Sequence, residues 1–124
     1  MGTLNKHGIN EAGSAVEVEI VPPTLVPIGS KAFITEFGCS QQDGGQHAVV
    51  KLQRSSDDFN TDIQELERMI VVAEEKIHLT YLSGLIVPSG QKFRVLFVQG
   101  TPAAITVTLA GNTQGNEGGA NIGD

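Results

Sequence analysis

An all-β fold, a single antiparallel β-sandwich of jelly-roll or immunoglobulin-like type, is the architecture that this chain's residue pattern predicts. Short runs with apolar residues at every second position recur along it, as half-buried strands require. Gly and Pro turns cut these runs at roughly 8–12-residue spacing, which makes about seven or eight strands. Charged residues are only 18% of the chain, below the roughly 25% of an average soluble domain. That deficit suits sheets whose wet faces carry Thr, Ser, Gln and Asn. At 124 residues the chain fits one domain whose core needs no staples.

Residues 1–13 are polar, with isolated Leu4 and Ile9, and read as a flexible N-terminal arm. The sandwich domain spans 14–110. Val16, Val18 and Ile20 alternate with Glu17 and Glu19, a strand with one wet face. Pro22, Pro23 and Pro27 then make a stiff, extended crossing. In 31–39, Phe33, Thr35, Phe37 and Cys39 share a face. Residues 41–45 close a hairpin onto a strand with Ala48, Val50 and Leu52 on one side and Val49, Lys51 and Gln53 on the other. In that register Cys39 stands opposite His47.

The stretch 57–76 is ambiguous. Thr61 and Gln64 have capping-box spacing, and Ile63, Leu66, Ile70 and Ala73 recur near helical spacing. Met69 to Ala73 is equally good as a strand core. The expectation is a short helix or turn near 61–67 running into a strand near 68–73. A strand follows in 76–82, with Ile77, Leu79 and Tyr81 opposite His78 and Thr80. Pro88-Ser-Gly90 makes the next turn. The last strands put Phe93, Val95 and Phe97, then Ile105, Val107 and Leu109, on core faces. The tail 111–124 holds five of the chain's 15 glycines and reads as flexible, since it has too little apolar surface to offset ordering.

The net charge of −6 disfavours nucleic acid and anionic membranes as partners. With one cysteine, Cys39, no intramolecular disulfide forms. No signal peptide or transmembrane segment is legible.

Chemistry-bearing clusters are few. Asp58, Asn60 and Asp62 have the alternating oxygens of a calcium loop, a weak metal candidate. Ile63 replaces the required Gly, however, and Met69 stands in place of the closing Glu. Cys39 with His47 lacks a third group to orient the pair. His7, His47 and His78 lack zinc spacing. Glu65, Glu67, Glu74 and Glu75 could pair as glycosidase carboxylates, but no Trp and one Tyr leave no sugar platform. No catalytic residue and no cofactor site follows.

One pattern is anomalous. The outer side of 92–98 carries Lys92, Arg94, Leu96 and Val98, half of them apolar. Val49 and Leu82 also fall on sides that should be wet. Either a loop covers these residues or they form a subunit interface.

Val50-Lys-Leu-Gln-Arg-Ser-Ser-Asp-Asp-Phe59 resembles the opening of many small β-sandwich modules. The run from Leu82 to Val95, with Ala104 to Leu109, resembles the closing strands of decoration or cement proteins, and related jelly-roll head proteins, of tailed bacteriophages. The resemblance is one of pattern and carries over no functional residue. It implies a cofactor-free homo-oligomer, such as a trimer, that clasps its neighbours with terminal arms. The resulting expectation is a non-enzymatic virion structural protein. It would sit on the capsid surface, bind itself and the major capsid protein or other virion proteins, and stabilise the lattice. It would be made in the host cytoplasm and bind neither nucleic acid nor membrane. The alternative is a small β-sandwich module that binds glycan or calcium through the 57–62 loop.

Overall fold

A computed structural model describes residues 2–10, 17–41, 48–72, 75–98, 105–115 and 119–123. They form β1 (Gly2–Asn10), β2 (Glu17–Leu25), β3 (Ser30–Gln41), β4 (Ala48–Ser55), β5 (Gln64–Val71), β6 (Lys76–Val87), β7 (Lys92–Val98), β8 (Ile105–Gly115) and β9 (Ile122–Gly123). One sheet has the order β6-β3-β8-β1-β9 and the other β2-β7-β4-β5. All pairs are antiparallel except β1 with β9. Apart from the β4–β5 hairpin, consecutive strands among the first eight cross from one sheet to the other, in the manner of a jelly roll. Among the described residues there is no helix, hence none long and apolar enough to cross a membrane.

The core is the layer between the sheets. Alternation places Val50 and Leu52 of β4, Phe93, Val95 and Phe97 of β7, and Ile105, Val107 and Leu109 of β8 there, all fully buried. These faces are the ones that the sequence predicts.

Several expectations fail, each for a tertiary reason. Residues 2–10 are not an arm: β1 pairs along its whole length with β8, and Leu4 enters the core. The tail does not begin at 111, because β8 runs to Gly115 and Ile122 also reaches the core. No helix covers 61–67; a turn leads directly into β5. The strand β2 continues through Pro22 and Pro23, with register shifts at that point. As an edge strand it needs few of its own N–H groups for pairing. The expected hairpin between β3 and β4 does not exist, since these strands lie in different sheets. Cys39 stands instead opposite Ile77 and Val107; His47 and the rest of 42–47 lie outside the described residues.

A bulge explains the misjudged face of β3. Its register shifts between Ile34 and Glu36 against both neighbours. The shift reverses the alternation. Ala32 and Ile34 therefore point inward before it and Phe37 and Cys39 after it, while Phe33 and Thr35 are left half-buried. Opposite the bulge, β6 spends Tyr81, Leu82, Ser83 and Gly84 between its pairings to Glu36 and Ile34. This edge strand thus pushes outward, and Leu82 is fully exposed.

Candidate functional site

Among the described residues β4 and β5 form the one hairpin within a sheet, and its turn is the acidic stretch 56–63. Asp57 organises it. Its carboxylate accepts from the hydroxyls of Ser55 and Thr61 and from the N–H groups of Asn60, Thr61 and Asp62. The Thr61 hydroxyl foremost, then the N–H groups of Asp62 and Thr61 and the Ser55 hydroxyl, hold the Asp57 carboxyl well below the usual carboxylate range. Asp62 is lowered too, first by the Ser56 hydroxyl and then by the Ser56 N–H. Asp58 and Phe59 both adopt left-handed backbone, with φ of 59° and 61°. That conformation strains a ring-bearing residue. Phe59 is held by the Arg94 guanidinium, 4.0 Å from its ring centre.

The oxygens of the calcium candidate point to different partners. Asp58 accepts from Lys92 Nζ at 3.0 Å, and the Asn60 amide donates to the Asp57 carbonyl. Asp62 accepts from Ser56. Among the described residues no three His, Cys, Asp or Glu side chains converge as a metal would require. The capping-box pair is likewise diverted: Thr61 donates back to Asp57, and Gln64 Oε1 accepts from Arg54.

The remaining reactive candidates stand apart. The Cys39 thiol is 3% exposed, and burial pushes it up to about 12. His7 and His78 are separated on their sheet by β8 and β3, and His78 contacts Glu36 at 3.3 Å. Glu65 pairs with Arg68 and Lys51. Glu67 accepts from the Tyr81 hydroxyl, whose pKa is raised by burial and by this carboxylate. Glu74 lies outside the described residues.

The six interface candidates do not form one surface. Val49, Lys92, Arg94, Leu96 and Val98 belong to β4 and β7; Leu82 belongs to the other sheet. Leu96 is only 3% exposed within the single chain. Glu19 and Lys51 flank it in register, and Glu19 is tied across β7 by Arg94 at 3.0 Å. Lys92 and Arg94 are engaged by Asp58 and by Glu19 and Gln53. Half-buried Val49 pairs with exposed Ile70, and the backbone of Val98 pairs with Glu17 and Val49.

Leu82 has different company. Ile86, also exposed, pairs with half-buried Phe33 on the outer face of the β6-β3-β8-β1-β9 sheet. Phe33 lines a shallow depression of about 430 Å3 with Gly29, Lys31, Ser89 and Gln114. Beside it stands Ile28, 90% exposed on the β2–β3 turn. Sequence reasoning singles out Leu82 but not Phe33, because strict alternation puts Phe33 on one face with Phe37 and Cys39. The bulge that moves it outward has no marker in the residues.

No protein-family model matches the chain, and no curated protein matches it. Solved structures do resemble it. The crystal structure of PirA superposes with a TM-score of 0.51 at 12% identity, covering 87% of this chain and 88% of that one. Eiger TNF from S. frugiperda gives 0.44 at 9% identity, over 90% and 93% of the two chains. A chain of infectious bursal disease virus, Gx strain, gives 0.42 at 8% identity, with 88% of this chain on 30% of that one. At 12% identity the likeness to PirA is one of fold alone. The class is a β-sandwich of jelly-roll type.

Proposed function

We propose that this chain is a non-enzymatic structural protein that works by adhesion: a virion decoration or cement protein that binds and stabilises a capsid lattice as a homo-oligomer. The observation that carries the reading is the set of exposed apolar side chains Leu82, Ile86 and Ile28, with half-buried Phe33 paired to Ile86. Exposed apolar groups gathered on one face favour contact with another protein. Burying a side chain such as Leu82 or Ile28 stabilises an assembly by about 1.5–3 kcal/mol before entropic costs. The rigid hydrogen-bonded sheets behind these side chains suit a scaffold that must keep its shape under load. The partners in this reading are a second copy and the shell protein, with no role for nucleic acid or membrane.

The test is co-sedimentation with shells assembled from the capsid protein encoded alongside this chain, together with solution mass by light scattering. The expected result is an oligomer that pellets with shells, with both properties weakened in Leu82→Asp and Ile28→Asp. A strict monomer with no affinity for the shells would overturn the reading.

A further inference from the structure

The C-terminal segment 119–123 is docked, and its docking site is closely built. Strand β9 lies parallel to β1, with Ile122 beside Leu4 and Gly123 beside Asn5. Ile122 is 7% exposed and belongs to the core cluster. The preceding Asn121 accepts the Thr3 N–H through its side-chain oxygen at 3.1 Å. Lys6 Nζ reaches the Gly123 carbonyl at 3.5 Å, and the Thr113 hydroxyl donates to the Ala120 carbonyl. The approach needs bare backbone: a Cβ on Gly2 would lie 2.1 Å from the Ala120 oxygen, and Gly119 turns with φ of +86°. The edge of β1 therefore selects an extended segment with an amide side chain followed by an aliphatic one.

The geometry points to a strand-receptor site on β1 that takes the chain's own 119–123 segment in the isolated protein and the same segment from a second copy when copies are crowded. The contacts are identical in the two arrangements. Only the effective concentration of the segment decides between them. The cis contact is small, two paired residues and one buried aliphatic side chain. Gly118 and Gly119 stand in the short link from β8. On a lattice that holds copies side by side, exchange would tie neighbours together without any new interface. This deepens the assembly reading and rests on it for the crowding, but the receptor site stands on the contacts above.

The test mixes two full-length variants with one added cysteine each, Asn5→Cys and Gly123→Cys, under mild oxidation. Asn5 is exposed. A Cβ on Gly123 meets nothing nearer than the Asn5 carbonyl oxygen at 3.6 Å. Buried Cys39 stays silent. Neither chain can join these two positions within itself, so a disulfide between the two variants reports exchange. The expected result is a covalent dimer well above the yield of Asn5→Cys mixed with Thr80→Cys, a position on β6 across the same sheet. That yield should rise severalfold with protein concentration. It should rise again when Ile122→Ala in the Asn5→Cys chain loosens its own segment. A yield no higher than the control at every concentration would overturn strand exchange. Shell binding would still be decided by co-sedimentation, so the two readings fail separately.

Discussion

Asp57 shows how one carboxylate can hold a turn that contains two left-handed residues in succession. Its folded pKa lies below that of the unfolded chain. The stability it supplies is therefore complete above the ordinary Asp value of about 3.9 and is lost as the pH falls from there toward the folded value. Asp57→Asn should melt below the native protein at neutral pH, and the gap should close on acidification below about pH 3; thermal melts across that range would show it. Asp58→Ala removes an exposed ion pair with Lys92 and puts Ala into left-handed backbone, so it should cost about 1–2 kcal/mol, mostly from the backbone. Added calcium should leave the melting temperature of both this variant and the native chain unchanged. A calcium-dependent rise abolished by Asp58→Ala would instead restore the loop as a binding site. Cys39, with its thiol at about 12, should resist thiol reagents in the native protein and react on unfolding; absorbance after reagent addition reads this directly.

Among the elements, β3 with its bulge does the most to place the apolar surface. Gly111 of β8 pairs with Ile34 at the bulge, and a Cβ there would lie 2.0 Å from the Phe33 carbonyl oxygen. Since the obstacle is backbone, it cannot swing aside. Gly111→Ala should cost about 3 kcal/mol or more, as read from denaturant midpoints. By contrast, Leu82→Asp touches a fully exposed position and should leave stability within about 0.5 kcal/mol while weakening association. The turn before β5 shows why the helix expectation fails. Thr61 and Gln64 have the right spacing, but each finds a better partner outside the segment, in Asp57 and Arg54. Burial of Met69 and Val71 then favours a strand over local propensity.

At the scale of the whole molecule, jelly-roll connectivity means that almost every strand pairs with one distant in sequence. Folding should accordingly take about milliseconds to seconds, as in other β-sandwiches; stopped-flow refolding measures it. Phe97, fully buried between the sheets, should cost about 3–5 kcal/mol when cut to Ala. Alternation along single strands was enough to read the fold class, the core faces of β4, β7 and β8, and the turn at Pro88–Gly90, because in-or-out orientation is a local property of extended backbone. Sheet membership was not legible, because the same alternation fits either sheet. Hence the false hairpin between β3 and β4 and the misplaced Cys39. The N-terminal strand and the docked tail were invisible for a related reason. Leu4 and Ile122 are isolated apolar residues in polar runs, and they become core residues only when the sheet edge is there to receive them. The adhesive surface is likewise a tertiary product. Phe33 and Leu82 are turned outward only because the bulge in β3 falls opposite the four unpaired residues of β6. Local pattern thus decided that this chain is a two-layered β protein, whereas long-range pairing decided which residues it presents to the outside.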